Sequence, residues 1–249
     1  MWANASDWHK KGGFALKRVL LIALFVVSVV AGASQAAALP LFTESSKRAV
    51  FLSPLEGWMP TWNLDTYVTL LERAGYSVDV LLNENVTIAF LETQLVDYDI
   101  IILRTQSFEW RGTSYFCSGE PATIQTRNEP TVLSEVRVDV CTGFTAAFLQ
   151  RNYPADSLRH GLVYVLGSST AELAPVFLGA GSSVFIGYED EFTLGWGRMD
   201  AFSQALFRYL CDYNVRDAVA RLYGYLNTGH GRDGKWPMIF WKGDGTFKI

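Results

Sequence analysis

Five short apolar runs recur along this chain, separated by segments whose apolar residues repeat at helical spacing. The runs are Ala49–Ser53, Ser77–Leu82, Tyr98–Leu103, Gly161–Leu166 and Ser183–Gly187. The third reads Tyr-Asp-Ile-Ile-Ile-Leu, too apolar to leave one face in water. Between the runs, Leu64, Tyr67, Leu70 and Leu71 fall on one helical face, with Asn63 as the expected N-cap and Gly75 as the stop. Thr87 opens a short helix through Leu91, and further helices are expected over Thr145–Tyr153, Ala171–Leu178, Met199–Tyr213 and Val215–Asn227. Ser114–Cys117 and Glu135–Val140 alternate like paired strands. Strands alternating with helices predict an α/β chain: a three-layer sandwich with a mostly parallel central sheet and helices on both faces.

The 249 residues are 49% hydrophobic and 18% charged, which excludes disorder and low-complexity filaments. There is no internal repeat. The net charge of −4 argues against a nucleic-acid binder. Part of the apolar content is local. Lys17 and Arg18 lead into Val19–Gly32, followed by Ala33-Ser-Gln-Ala-Ala-Ala38. A basic start, an apolar run and a small-residue A-x-A site describe a secretory signal, with a cut after Ala38. An uncleaved anchor over residues 19–42 is the competing reading, long enough to span a bilayer. The expectation is therefore a signal at 1–38 and one α/β domain at 39–249, secreted or extracytoplasmic, touching a membrane only if the first segment is retained. Removing 1–38 leaves 17 basic and 24 acidic residues.

Three cysteines are too few for a disulfide scaffold. In an exported chain Cys117 and Cys141 are candidates for one bridge, while Cys211, in a helical pattern, reads as a buried free thiol. No Cys or His spacing suggests a metal site, and no cofactor is expected.

In parallel sheets function gathers at the carboxyl ends of the strands. The segments to inspect are Pro54–Trp62, Arg104–Gly112, Gly167–Thr170 and Tyr188–Gly197. Three stretches carry a resemblance: Tyr98-Asp-Ile-Ile-Ile-Leu-Arg-Thr-Gln-Ser107, Val165-Leu-Gly-Ser168, and Leu173-Ala-Pro-Val-Phe-Leu-Gly-Ala-Gly-Ser-Ser-Val-Phe-Ile-Gly-Tyr188. With Phe116-Cys-Ser-Gly-Glu-Pro121 they resemble, in order and spacing, the clan CD cysteine peptidases (caspases, gingipains, clostripain), and their exported bacterial and archaeal members in particular. The resemblance covers about residues 47–249 and implies a caspase-like sandwich with an extended-peptide cleft. It implies a general-base histidine two residues past Arg104 and a nucleophilic cysteine after Gly167.

This chain has Gln106 and Ser168 at those two places. The family's mechanism needs a thiolate formed with help from an imidazole. A glutamine amide cannot accept the proton, and a serine hydroxyl without a base is a poor nucleophile. The expectation is a non-catalytic homologue that binds a peptide or protein. Its cleft candidates are Arg104, Ser107, Trp110, Glu120, Ser169, Tyr188 and Glu189. Rescue of catalysis is not evident. His160 lies about 26 Å from Ser168, at the other end of its strand. His230 belongs to a glycine-rich loop, and Cys117 would be a displaced nucleophile only if its sulfur were free.

Other features have plainer readings. Glu189-Asp190-Glu191 is a solvated acidic loop rather than a calcium site, since EF-hand spacing is missing. Gly179-Ala-Gly181 is a turn, and Gly229, Gly231 and Gly234 lack the Lys-Ser/Thr of a phosphate loop. Trp58, Trp62, Trp110 and Trp196 either line a pocket or cover the sheet edge. Asn85-Val-Thr87 fits a glycosylation sequon, though Thr87 also suits a helix cap. Two further functional readings stand beside the first: an active hydrolase using Ser168 or Cys117, and a small-ligand-binding domain of flavodoxin-like shape.

Overall fold

The apolar runs become the strands of a six-stranded sheet in the order β2-β1-β3-β7-β8-β9. Its members are β1 (Arg48–Ser53), β2 (Ser77–Leu82), β3 (Ile100–Arg104), β7 (Leu162–Leu166), β8 (Val184–Tyr188) and β9 (Ile239–Gly243). The first five run parallel; β9 is antiparallel and closes one edge, pairing Ile239 with Tyr188 and Gly243 with Val184. This computed structural model describes residues 47–110, 112–121, 141–189, 195–225 and 238–249. All of them belong to one unit, Ser46–Ile249. The signal and anchor readings, the Glu135–Val140 strand, Asp190, Glu191 and His230 lie outside the described residues. Among the described residues no helix is long and apolar enough to cross a membrane.

The central strands are largely apolar because both faces are covered, with Arg104 at the end of β3 as the buried exception. Ile100 and Ile102 of β3, with Leu162, Tyr164 and Leu166 of β7, enter one core. That core is roofed by α1 (Leu64–Arg73), α5 (Trp196–Asp212) and α6 (Val215–Tyr225). Ile101, Leu103, Val163 and Val165 enter the opposite core. There they meet α2 (Ile88–Thr93), α3 (Ala146–Asn152) and α4 (Ala174–Gly179). The two-residue period of a strand thus divides each run between two helical layers. The architecture is α/β, a mostly parallel sheet between helices.

The local signals act as their chemistry dictates, with exceptions. The Thr87 and Thr145 hydroxyls accept from the Phe90 and Phe148 amides, capping α2 and α3. Asn63 stands at the N-cap of α1 in the left-handed region (φ 55°) with no side-chain cap bond, so the expected cap is not formed. The expected helix Ala171–Leu178 is divided: a 3-10 turn, Thr170–Leu173, precedes α4, whose first turn holds Pro175, a residue with no amide hydrogen to donate backwards. Ser114–Cys117 does pair, but with the segment just before it. β4 (Ser107–Trp110) and β5 (Thr113–Cys117) form a hairpin, and β6 (Gly143–Phe144) continues that second sheet. Trp196 opens α5 instead of lying in a loop. Cys211 is free but only half-buried.

Where β3 and β7 begin, the backbones approach too closely for any side chain. A Cβ on Gly161 would lie 1.7 Å from the Asp99 carbonyl oxygen, which accepts the Leu162 amide at 2.9 Å. A Cβ on Gly179 would meet nothing within 4 Å. Gly161→Ala is therefore expected to destabilise the protein by about 1–3 kcal/mol or to prevent folding. Gly179→Ala should leave the urea midpoint unchanged or raise it. Equal midpoints for the two variants would contradict the close approach.

Candidate functional site

The site is assembled where β3 and β7 end. The register pairs Arg104 with Leu166, and the Thr105 amide donates to the Leu166 carbonyl at 2.9 Å. A Cβ on Gly167 would stand 2.6 Å from the Thr105 oxygen, so only glycine lets the β7 chain pass this close to its neighbour. Ser169 then turns through the left-handed region (φ 51°) into the 3-10 turn. Gln106 and Ser168 each lie two residues past this last pair, side by side at the carboxyl edge. The Ser107 hydroxyl donates to the Ser168 carbonyl and ties the two segments together.

These residues wall a pocket of about 270 Å³. Gln106, Ser107, Phe108 and Glu109 come from β3's end and β4, Ser114 from β5, and Ser168 and Ser169 from β7's end. The lining offers an amide, four hydroxyls, a carboxylate and one aromatic ring. Glu172, in the 3-10 turn, hydrogen-bonds Ser114. Partial desolvation holds its carboxyl above the usual range, with Glu109's charge adding to the effect and Ser114's bond opposing it.

The hairpin that forms one wall is fastened to the sheet edge. The Cys117 amide donates to the Gln106 carbonyl at 2.9 Å, and the Thr105 hydroxyl donates to the Cys117 carbonyl at 2.8 Å. Cys117 is bonded to Cys141, 24 residues on, with both side chains buried. A loop of that length contributes about 3.5 kcal/mol in the chain-entropy account. The bond also removes the reading of Cys117 as a displaced nucleophile, because a disulfide sulfur forms no thiolate.

Several of the expected cleft residues stand elsewhere. Arg104 is 2% exposed and makes a bidentate pair with Asp200, Nε to Oδ1 at 2.8 Å and Nη2 to Oδ2 at 3.1 Å. Its Nη1 donates to the Met59 carbonyl at 2.6 Å, and its guanidinium lies 4.6 Å from the Trp196 ring centre. It supports the site from beneath. Tyr188 is buried in the core beneath α5, its hydroxyl 2.7 Å from that of Tyr164, which also bonds Ser203. Burial holds both phenols well above their ordinary range. Glu120 accepts the Ile88 amide at 2.8 Å and so caps α2. Glu189 is exposed beyond β8, its amide donating to the Met238 carbonyl. Trp110 pairs with Thr113 at the tip of the hairpin. His160 is exposed before the amino end of β7, at the far edge from Ser168. Among the described residues no cluster of His, Cys, Asp or Glu could hold a metal ion. Asn85 is exposed in a 3-10 turn.

Asp200 is the residue that sequence reading passed over. Its signal was present: Met199, Ser203, Leu206, Phe207 and Leu210 form the buried face of α5, and Asp200 shares that face. A carboxylate at such a position requires a cationic partner.

No family model matches the sequence, and no curated protein does. A solved structure does. The Drosophila initiator caspase Dronc is similar in structure with a TM-score of 0.42 and 10% identity, over 81% of this chain and 79% of that one. The likeness is one of chain arrangement.

Removing one partner of a buried ion pair strands the other charge, at a cost of about 3–5 kcal/mol. Asp200→Ala and Arg104→Ala should each lower stability by that amount in urea unfolding, and the double variant by much less than the two together. Additive losses would show that the two groups act independently.

Proposed function

We infer that this chain is an exported caspase-like domain of clan CD ancestry that has lost its catalytic dyad and binds a peptide or protein segment. The observation that carries this reading is the placement of Gln106 and Ser168. They stand at the ends of neighbouring strands, in one pocket, where the resemblance asks for the histidine and the cysteine. The pocket's size bears on the ligand class. Small-molecule sites usually enclose about 300–1,000 Å³, and 270 Å³ suits one inserted side chain better than a flavin-sized cofactor. Its hydroxyls and amide match the polar groups of a peptide. Among the described residues β4 pairs with β5 alone, at one end of the order β4-β5-β6, and an extended chain can add to such an edge strand.

The chemistry of the lining favours binding over hydrolysis. Gln106 does not take up a proton at any physiological pH. An amide thus stands where the family's proton transfer uses an imidazole. The full-length chain should release no fluorophore from a broad peptide-substrate library above the rate shown by Ser168→Ala. Cleavage that Ser168→Ala abolishes would refute the inactive reading and support a serine hydrolase.

The ancestry has its own test. Ser168→Cys alone should give a thiol with ordinary reactivity. Adding Gln106→His should lower its pKa and raise the iodoacetamide rate at pH 6.5 by about tenfold, because an adjacent imidazolium stabilises the thiolate. An unchanged rate would mean that the two positions do not form a dyad, and the ancestry would fall.

A further inference from the structure

The loop between β1 and α1, residues 54–62, holds two tryptophans out in water: Trp58 is 70% exposed and Trp62 54%. An indole is among the largest apolar surfaces a chain can carry, and a slack loop would fold it away. This loop is fixed by side chains that are themselves buried. Arg104 donates to the Met59 carbonyl, Asp200 accepts the Trp62 amide at 3.1 Å, and Gln204 donates to the Trp62 carbonyl. Within the loop, the Glu56 carboxylate takes the Ser53 hydroxyl at 2.8 Å and both the amide and the hydroxyl of Thr61. Three buried polar groups thus hold the backbone at Met59, just after Trp58, and at Trp62 itself. An ordered aromatic surface binds without the entropy cost of ordering a loop, which is what a preformed subsite requires.

The loop leaves the carboxyl end of β1, and β1 is the neighbour of β3, whose end walls the pocket. Platform and pocket therefore share one edge of the sheet. An extended chain advances about 3.3 Å per residue, so six residues cover about 20 Å along that edge. We propose that Trp58 and Trp62 form a second subsite of the same binding surface, taking an aromatic or large aliphatic side chain of an extended peptide whose nearby polar residue enters the pocket at Gln106 and Ser168. This rests on the peptide-binding reading and adds the side-chain class that the surface selects. The indoles supply flat apolar area, and the serines and Glu109 supply polar partners a few residues away.

The test uses a fluorescein-labelled positional-scanning hexapeptide library against the full-length chain and against a Trp58→Ala/Trp62→Ala double variant. Both replaced side chains are largely exposed, so the circular dichroism spectrum and Tm should be retained. The wild-type chain should enrich Phe, Tyr, Trp, Leu or Ile at one position. The double variant should lose that enrichment, keep the preferences at the other positions, and bind the best peptide at least about tenfold more weakly. A Trp62→Phe variant should recover most of the affinity. Identical profiles for wild type and double variant would overturn the subsite while leaving peptide binding intact. No binding of any peptide by the wild-type chain would overturn the peptide-binding reading, and the subsite with it. Should the double variant fail to fold, saturation of the wild-type chain with the best peptide decides: a shift in tryptophan emission supports the subsite, and an unchanged spectrum overturns it.

Discussion

A guanidinium and a carboxylate, both removed from water, hold the candidate site's edge of the sheet together. Arg104 ends β3 and Asp200 sits in the first turns of α5, 96 residues later. Burying either charge alone would cost several kcal/mol, so each makes the other's position obligatory. The pair does more than join a strand to a helix. The same guanidinium fastens the β1–α1 loop through Met59 and lies against Trp196, while the same carboxylate receives the Trp62 amide. Two segments far apart in sequence, the β1–α1 loop and α5, are thereby fixed around one strand end, and Gln106 lies two residues beyond it.

Above that support the pocket depends on close backbone approach. β3 and β7 lie adjacent as far as Leu166, and Gly167 carries no side chain to push them apart. The Cys117–Cys141 bond and the hydrogen bonds of Cys117 to Thr105 and Gln106 hold the hairpin against the same edge. A frame this well fastened is what precise proton transfer would need. Its two central side chains, an amide and a hydroxyl, can position a ligand but do not move a proton between them.

Much of the architecture was legible because strand and helix periods are local. The runs at 49–53, 77–82, 98–103, 161–166 and 183–187 map onto strands to within one or two residues, and their apolar character on both faces foretold a covered parallel sheet. The edge strand Ile239–Gly243 is defined by its antiparallel pairing with β8, which no local period specifies. Ser114–Cys117 pairs with Ser107–Trp110, a partner that alternation alone does not name, since it marks a strand without naming what lies across from it. At the site, Gln106, Ser107, Ser168 and Ser169 were found by position at strand ends. Phe108, Glu109 and Ser114 were not, since they reach the pocket through the hairpin's fold-back.

The sequence by itself determined the layered α/β class, the positions of the strands and the amide–hydroxyl pair at their ends. These follow from side-chain period and residue chemistry, which need no distant partner. Only the tertiary structure decided that Arg104 lies beneath the site instead of in it, that Tyr188 faces the core, and that Trp58 and Trp62 stand exposed on a fixed loop. Whether a charge lines a cleft or supports it depends on which residue meets it across 96 positions of chain, and that meeting exists only once the sheet and α5 have packed.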